Sequence, residues 1–125
     1  MPDFFGLQQL LNQLRLEHPS AYDRGKAFEY VCKFYLEKDP YFSGIFSDVW
    51  LWYEWPDRDG PEIGIDIVAR EKWTGDLCAV QCKFHQDMVP SGEIDSFIAA
   101  AAGSKFASLL LISTSDLTSN SLLSD

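Results

Sequence analysis

Three polar residues stand inside otherwise apolar runs: Asp66 in GIDIVA, and Gln81 and Lys83, two apart, in AVQCKF. Strand interiors rarely keep such groups for packing. A carboxylate supplies anionic oxygen to a hard cation such as Mg2+, which takes oxygen ligands and retains several waters. A neutral amide adds a carbonyl oxygen, and an ammonium neutralises or orients whatever the metal activates. The set therefore suits a cation and a phosphate. The plainer reading is a cross-strand salt bridge between Asp66 and Lys83, worth little if exposed.

Spacing decides whether these groups can meet. The stretch GPEIGIDIVAREKWTGDLCAVQCKF reads as two strands, Ile63 to Arg70 and Leu77 to Phe84, around a Thr-Gly turn signal. Residues alternate faces along a strand. Any two-residue loop centred on Trp73-Thr74, Thr74-Gly75 or Gly75-Asp76 then puts Asp66, Gln81 and Lys83 on one side. With Thr74-Gly75 at the centre, Asp66 faces Lys83 and Val68 faces Gln81, with Cβ atoms about 5 Å apart. A three-residue loop would reverse the parity.

The elements that must hold this hairpin follow from periodicity. Asp3 caps an expected helix to about Glu17, with Phe4, Leu7, Leu10, Leu11 and Leu14 at helical spacing. A second helix follows the Pro-Ser cap signal at Pro19-Ser20, with Phe28, Val31, Cys32, Tyr35 and Leu36 on one face, and Pro40 as its stop. FSDVWLWYEW, from Phe46 to Trp55, alternates as a strand, and PDRDGPE is a polar turn. Ser91 is the expected cap of an Ala-rich helix that Gly103 ends. FASLLLIST is a continuous apolar run of the kind covered on both faces. The order is α-α-β-β-β-α-β. SDLTSNSLLSD reads as a helix just beginning, so the chain is expected to continue beyond Asp125.

Composition narrows the function. With 125 residues, 46% of them hydrophobic, the chain can bury one core. No window approaches the length of a membrane span and no signal peptide opens the sequence, so a cytoplasmic protein with no membrane contact is expected. Cys32, Cys78 and Cys82 form no CxxC, and an odd count without a secretory signal predicts reduced thiols packed as small hydrophobes. Cys78 and Cys82 lie about 13 Å apart along an extended strand, too far to share one zinc. Ten Lys and Arg against nineteen Asp and Glu leave a net charge of −9, the wrong sign for holding nucleic acid through the chain's own field. A polyanionic substrate would have to be presented by something else.

GIDIVA followed by AVQCKF, after the helix RGKAFEYVCKFYL, resembles the Mrr-type branch of the PD-(D/E)XK nuclease superfamily, where Gln-x-Lys replaces the usual acid-x-Lys. WPDRDGPEIGIDIVAR, AVQCKF and IDSFIAAAAGSKF are similar to the N-terminal nuclease region of the single-polypeptide Type ISP restriction enzymes. In those enzymes the nuclease is joined to a helicase-like translocase, a methyltransferase and a target-recognition domain. The resemblance implies an α/β restriction-endonuclease-like core, a mixed sheet flanked by helices. It also implies a single nuclease domain over residues 1–125, the N-terminal part of an ATP-driven restriction-modification polypeptide. The implied activity is hydrolysis of phosphodiesters in double-stranded DNA with Mg2+, for which Mn2+ can substitute.

The implied roles fall on particular residues. Asp66 is the principal metal ligand, Gln81 holds the place of the second acid, the backbone carbonyl of Cys82 adds a ligand, and Lys83 acts on the attacking water or the phosphate charge. Glu29 stands where related nucleases place a helical acid, although Lys26 and Lys33 at i−3 and i+4 also suit an ordinary surface ion pair. Glu62 reads as a solvated turn residue that could approach the metal, and His85 as a structural residue or a rim contact to phosphate. Gln81 makes the site less negative than the superfamily norm. The alternative from another class is a non-catalytic domain that keeps the fold for DNA binding or partner docking.

Overall fold

The computed structural model describes residues 13, 16–17, 20–58, 60, 64–83, 91–101 and 105–113. Of the expected first helix only Gln13, Leu16 and Glu17 are among them, with the Gln13 amide donating to Glu17 one turn on at 2.7 Å. The rest of that helix lies outside the described residues. Helix α1 spans Ala21–Lys38, and the Ser20 hydroxyl accepts the Asp23 N–H at 3.0 Å, satisfying one of the donors that a helix start leaves open. Asp39 then serves two helices. Its N–H donates to the Tyr35 carbonyl, closing α1, while its carboxylate accepts from the N–H groups of Tyr41 and Phe42, opening α2 at Pro40–Ile45. Pro40 is thus a first-turn residue of a new helix as well as the stop of the old one. Proline suits that position because the missing N–H would be unpaired anyway.

Strand β1 covers Phe46–Leu51 and gives way to a 3-10 turn at Trp52–Glu54, so the expected strand to Trp55 is cut short. The Glu54 carboxylate accepts the Leu51 N–H at 3.0 Å and fixes this turn. Strands β2 (Ile67–Glu71) and β3 (Leu77–Lys83), helix α3 (Ser91–Ala101) and strand β4 (Phe106–Ser113) complete the chain. The sheet order is β1-β2-β3-β4, antiparallel across the first two pairs and parallel between β3 and β4. The parallel pair requires a crossover, which α3 provides. Helices lie on both faces of this mixed sheet, the α/β architecture expected.

Each face has its own core. Phe28, Cys32 and Leu36 of α1 pack on Val49, Leu51, Ile67, Ala69, Cys78, Val80 and Cys82. Phe97 and Ala101 of α3 pack with Trp52, Trp55, Ile65, Val68 and Ala79 on the other side. Among the described residues no helix is long and apolar enough to cross a membrane. Strand β4 departs from expectation. Among the described residues it is an edge strand, with Ala107, Ser108 and Leu109 exposed and Leu110 to Ser113 half-buried, so its apolar run is not covered on both faces there.

Candidate active site

The hairpin loop is longer than two residues. Glu71 N–H donates to Asp76 O at 2.8 Å, and Gly75 N–H closes back on Glu71 O at 3.0 Å, leaving Lys72, Trp73, Thr74 and Gly75 as the loop. Gly75 has φ +76°, a left-handed conformation that side chains disfavour. The register pairs Ile67 with Val80, Val68 with Ala79 and Ala69 with Cys78. The loop remains even in length but its centre moves to Trp73-Thr74, which shifts the pairing by two. Asp66 therefore does not sit opposite Lys83.

Asp66 is bonded instead to the two residues that flank Gln81. Its N–H donates to Val80 O at 2.9 Å, and its Oδ2 accepts the Cys82 N–H at 2.8 Å, so it holds both neighbours of Gln81. On the other side, the Trp52 N–H donates to Asp66 O at 2.9 Å. Val80, the register partner of Ile67, thus faces two consecutive residues of the opposing segment, the pattern of a β-bulge. Alternation breaks here. Ile65 packs with Val68 and Phe97 on the α3 side, while Ile67 packs on the α1 side. Strict parity fails at the residue it was meant to place: the Asp66 carboxylate reaches into the opening between β2 and β3, replacing a strand carbonyl as acceptor.

Burial makes this opening chemically unusual. Asp66 is 8% exposed and Gln81 4%. Gln81 Oε1 is buried without a hydrogen-bond partner, a loss of about 1–3 kcal/mol if nothing else satisfies it. Lys83, two residues further along β3 and so on the same strand face as Gln81, is half-buried at the end of the ladder. Glu29 projects from α1 with its side chain 15% exposed and its Oε2 3.6 Å from Lys26 Nζ. Lys33 does not join that pair; it lies 3.6 Å from both Glu37 and Glu54. Hydrogen bonding to Cys32, then burial, then the negative charges of Cys32, Asp66 and Glu29 push the Cys82 thiol well above its ordinary value. Asp66, just before β2, and Glu29 of α1 therefore act on one buried thiol. Glu62 and His85 lie outside the described residues.

Two contributors escaped the sequence reading. Gly64 has φ +80°, and a Cβ there would lie 3.8 Å from Gln81 Nε2 and 3.9 Å from Phe97 Cα. It turns the chain into β2 while packed between the Gln81 amide and the backbone of α3; the glycine two places before Asp66 was the available signal. Cys32 of α1 is buried in the same cluster as Cys82 of β3, a proximity between helix and strand that spacing within either element does not reveal.

The donors suit a hard cation in part. Among the described residues no three His, Cys, Asp or Glu side chains are grouped to hold a metal ion. One buried carboxylate beside an amide oxygen that lacks a donor is nevertheless a set that Mg2+ accepts, since water fills its remaining positions.

Comparison with known proteins agrees with the α/β fold. The restriction endonuclease family model Mrr_cat_2 matches residues 37–124. A solved structure described as the ATP-dependent Type ISP restriction-modification enzyme LlaBIII bound to DNA superposes with a TM-score of 0.70 at 33% sequence identity, covering 88% of this chain. The chain spans 7% of the length of that protein. No protein in the curated set matches.

Proposed function

This chain belongs to the Mrr_cat_2 restriction endonuclease family, and from that premise we propose that it is a Mg2+-dependent endonuclease domain. It hydrolyses phosphodiester bonds of double-stranded DNA as one part of an ATP-driven restriction-modification enzyme. The observation that carries this reading is the buried Asp66 and Gln81 pair at the opened end of β2 and β3, with an amide oxygen left without a donor.

Asp66, Gln81 Oε1 and the main-chain carbonyl of Cys82 would hold the ion. When bound, Mg2+ supplies Lewis-acid polarisation of the phosphate and a more acidic water. Asp66 keeps one oxygen on the Cys82 N–H, which fixes the carboxylate and the strand that carries Lys83 in one geometry. Lys83 places a positive charge where negative charge develops on the phosphate. Glu29, approaching from α1, accepts a proton from the attacking water or orients it. The helicase-like translocase, the methyltransferase and the target-recognition domain of the same polypeptide would bring DNA to a module whose own charge repels it.

Supercoiled plasmid incubated with the chain in millimolar Mg2+ should be nicked slowly and without sequence preference. Chelator or Asp66→Asn should stop the nicking. Cleavage that survives either change would overturn the metal-site reading and favour a domain kept for binding or docking.

A further inference from the structure

Tyr53 is 61% exposed, yet it stands on a firmly held turn. Its neighbours Trp52 and Trp55 are buried in the α3-side core, and the Glu54 carboxylate ties the turn to the Leu51 N–H. A large ring has been left in water on a rigid support. Two routes connect it to the candidate active site. The Trp52 N–H donates to the Asp66 carbonyl at 2.9 Å, so Tyr53 follows the residue bonded to Asp66. Lys26 Nζ lies 5.6 Å from the centroid of the Tyr53 ring and 3.6 Å from Glu29 Oε2. One lysine thus touches both the exposed ring and Glu29, the helical acid of the candidate site. One turn further along α1, Tyr30 is exposed as well.

Charge explains why an aromatic contact matters here. A chain of net charge −9 has little long-range attraction for a polyanion, and α1 alone carries Arg24, Lys26, Lys33 and Lys38, four of its ten basic residues. Stacking depends on the π-face of a base and tolerates any sequence. An acidic module that acts on nucleic acid without reading its sequence gains most from such a contact, placed where its cations are.

We infer that Tyr53 and Lys26 form the nucleotide-binding edge of the site, with the Tyr53 ring stacked on an unstacked base beside the scissile phosphate and the Lys26 ammonium on an adjacent phosphate. The identity of the ligand as DNA rests on the nuclease reading; the contact itself does not require cleavage.

The test uses the 125-residue chain in chelator, so that nothing is cut, at roughly 50 mM salt, where nonspecific binding is favoured. The probe is a duplex carrying 2-aminopurine in a single-stranded gap, whose fluorescence falls when the base stacks. Titration should quench it. Tyr53→Ala should abolish the quenching and weaken binding roughly tenfold, whereas Tyr53→Phe, which keeps the ring, should preserve both. Lys26→Gln should weaken binding and flatten its salt dependence while leaving the quenching of bound probe intact. Trp73→Ala removes a still more exposed ring at the far end of the sheet and should change nothing. Absence of quenching, or quenching and affinity unchanged in Tyr53→Ala, would overturn the inference. If plasmid nicking fails while Tyr53-dependent quenching persists, the catalytic reading is lost and the binding edge stands; the reverse result removes the edge alone.

Discussion

The two ends of the β2 and β3 pair are built on different principles. At the loop end, the polar groups satisfy one another: Glu71 pairs with Asp76, Gly75 closes on Glu71, the Thr74 hydroxyl accepts the Asp76 N–H, and the side chain of Trp73 is left to solvent. At the other end the ladder stops, a carboxylate takes over as acceptor for the Cys82 N–H, and a buried amide oxygen is left without a donor. The first end spends its polar groups on making a hairpin. The second leaves them over, and leftover buried polarity is where a ligand can be recognised. The difference shows that interrupting a regular element can set polar groups aside without adding a new element.

The largest effect should come from Asp66. Asp66→Ala should abolish nicking and also leave the Cys82 N–H without an acceptor, costing about 1–3 kcal/mol. Asp66→Asn keeps an oxygen for that N–H, so it should lose the nicking while retaining most of the stability. Denaturant melts beside plasmid assays separate the two, and an active Asp66→Asn would erase the functional distinction between the ends. Next comes Lys83→Ala, for which a loss of roughly a hundredfold to a thousandfold in cleavage rate is expected, with a melting temperature close to that of the parent.

Matched glycines offer a smaller and more discriminating comparison. Gly64 and Gly75 have φ of +80° and +76° at opposite ends of the hairpin. Alanine at either should cost on the order of 1–2 kcal/mol of backbone strain. Gly64→Ala alone should also slow cleavage per folded molecule, because the left-handed backbone it strains lies two residues before Asp66, while the added methyl itself meets the Gln81 amide and the α3 backbone only in ordinary van der Waals contact. Equal activity in the two variants would show that the site does not depend on how the chain enters β2.

The finest effect is expected at Gln81. Gln81→Glu is nearly isosteric and adds negative charge where the metal would bind. Its melting temperature should lie below the parent's in chelator, since the new carboxylate crowds Asp66 with like charge. It should rise more steeply with Mg2+, because ligand binding stabilises the folded state in proportion to RT ln(1 + [L]/Kd), about 2.7 kcal/mol at a hundredfold excess over Kd. The same deficit with and without metal would remove Gln81 from the site.

Much of this was readable before any coordinates. The spacing of Phe28, Cys32 and Leu36 predicts the buried face of α1 because a helix repeats rigidly, and Asp66, Gln81 and Lys83 betray themselves as polar groups in apolar strands. What the sequence hid depends on partners distant along the chain. The bulge at Asp66 exists because its N–H turns toward Val80 on β3 and its carbonyl toward Trp52 in the turn after β1, which alternation cannot anticipate. The loop was misjudged because Glu71 and Asp76 pair outside the Thr-Gly signal. The apolar run of β4 was read as covered on both faces because its composition is that of an interior strand, whereas its position at the sheet edge is fixed by topology.

That edge has a colloidal consequence. Soluble proteins guard an unpaired strand with charge, bulges or brevity. β1, at one edge, has an irregular register between Phe46 and Asp48 and an exposed carboxylate in Asp48. β4, at the other edge among the described residues, runs eight residues from Phe106 to Ser113 without a single charged side chain. The protection it lacks locally is supplied at long range by mutual repulsion between molecules of net charge −9. Screening shortens that repulsion to about 3 Å in molar salt, and titration toward the pI near 4.5 removes it. Concentrated solutions should therefore turn turbid under both conditions, with β4 as the first strand to stick. A lysine at exposed Leu109 should keep them clear.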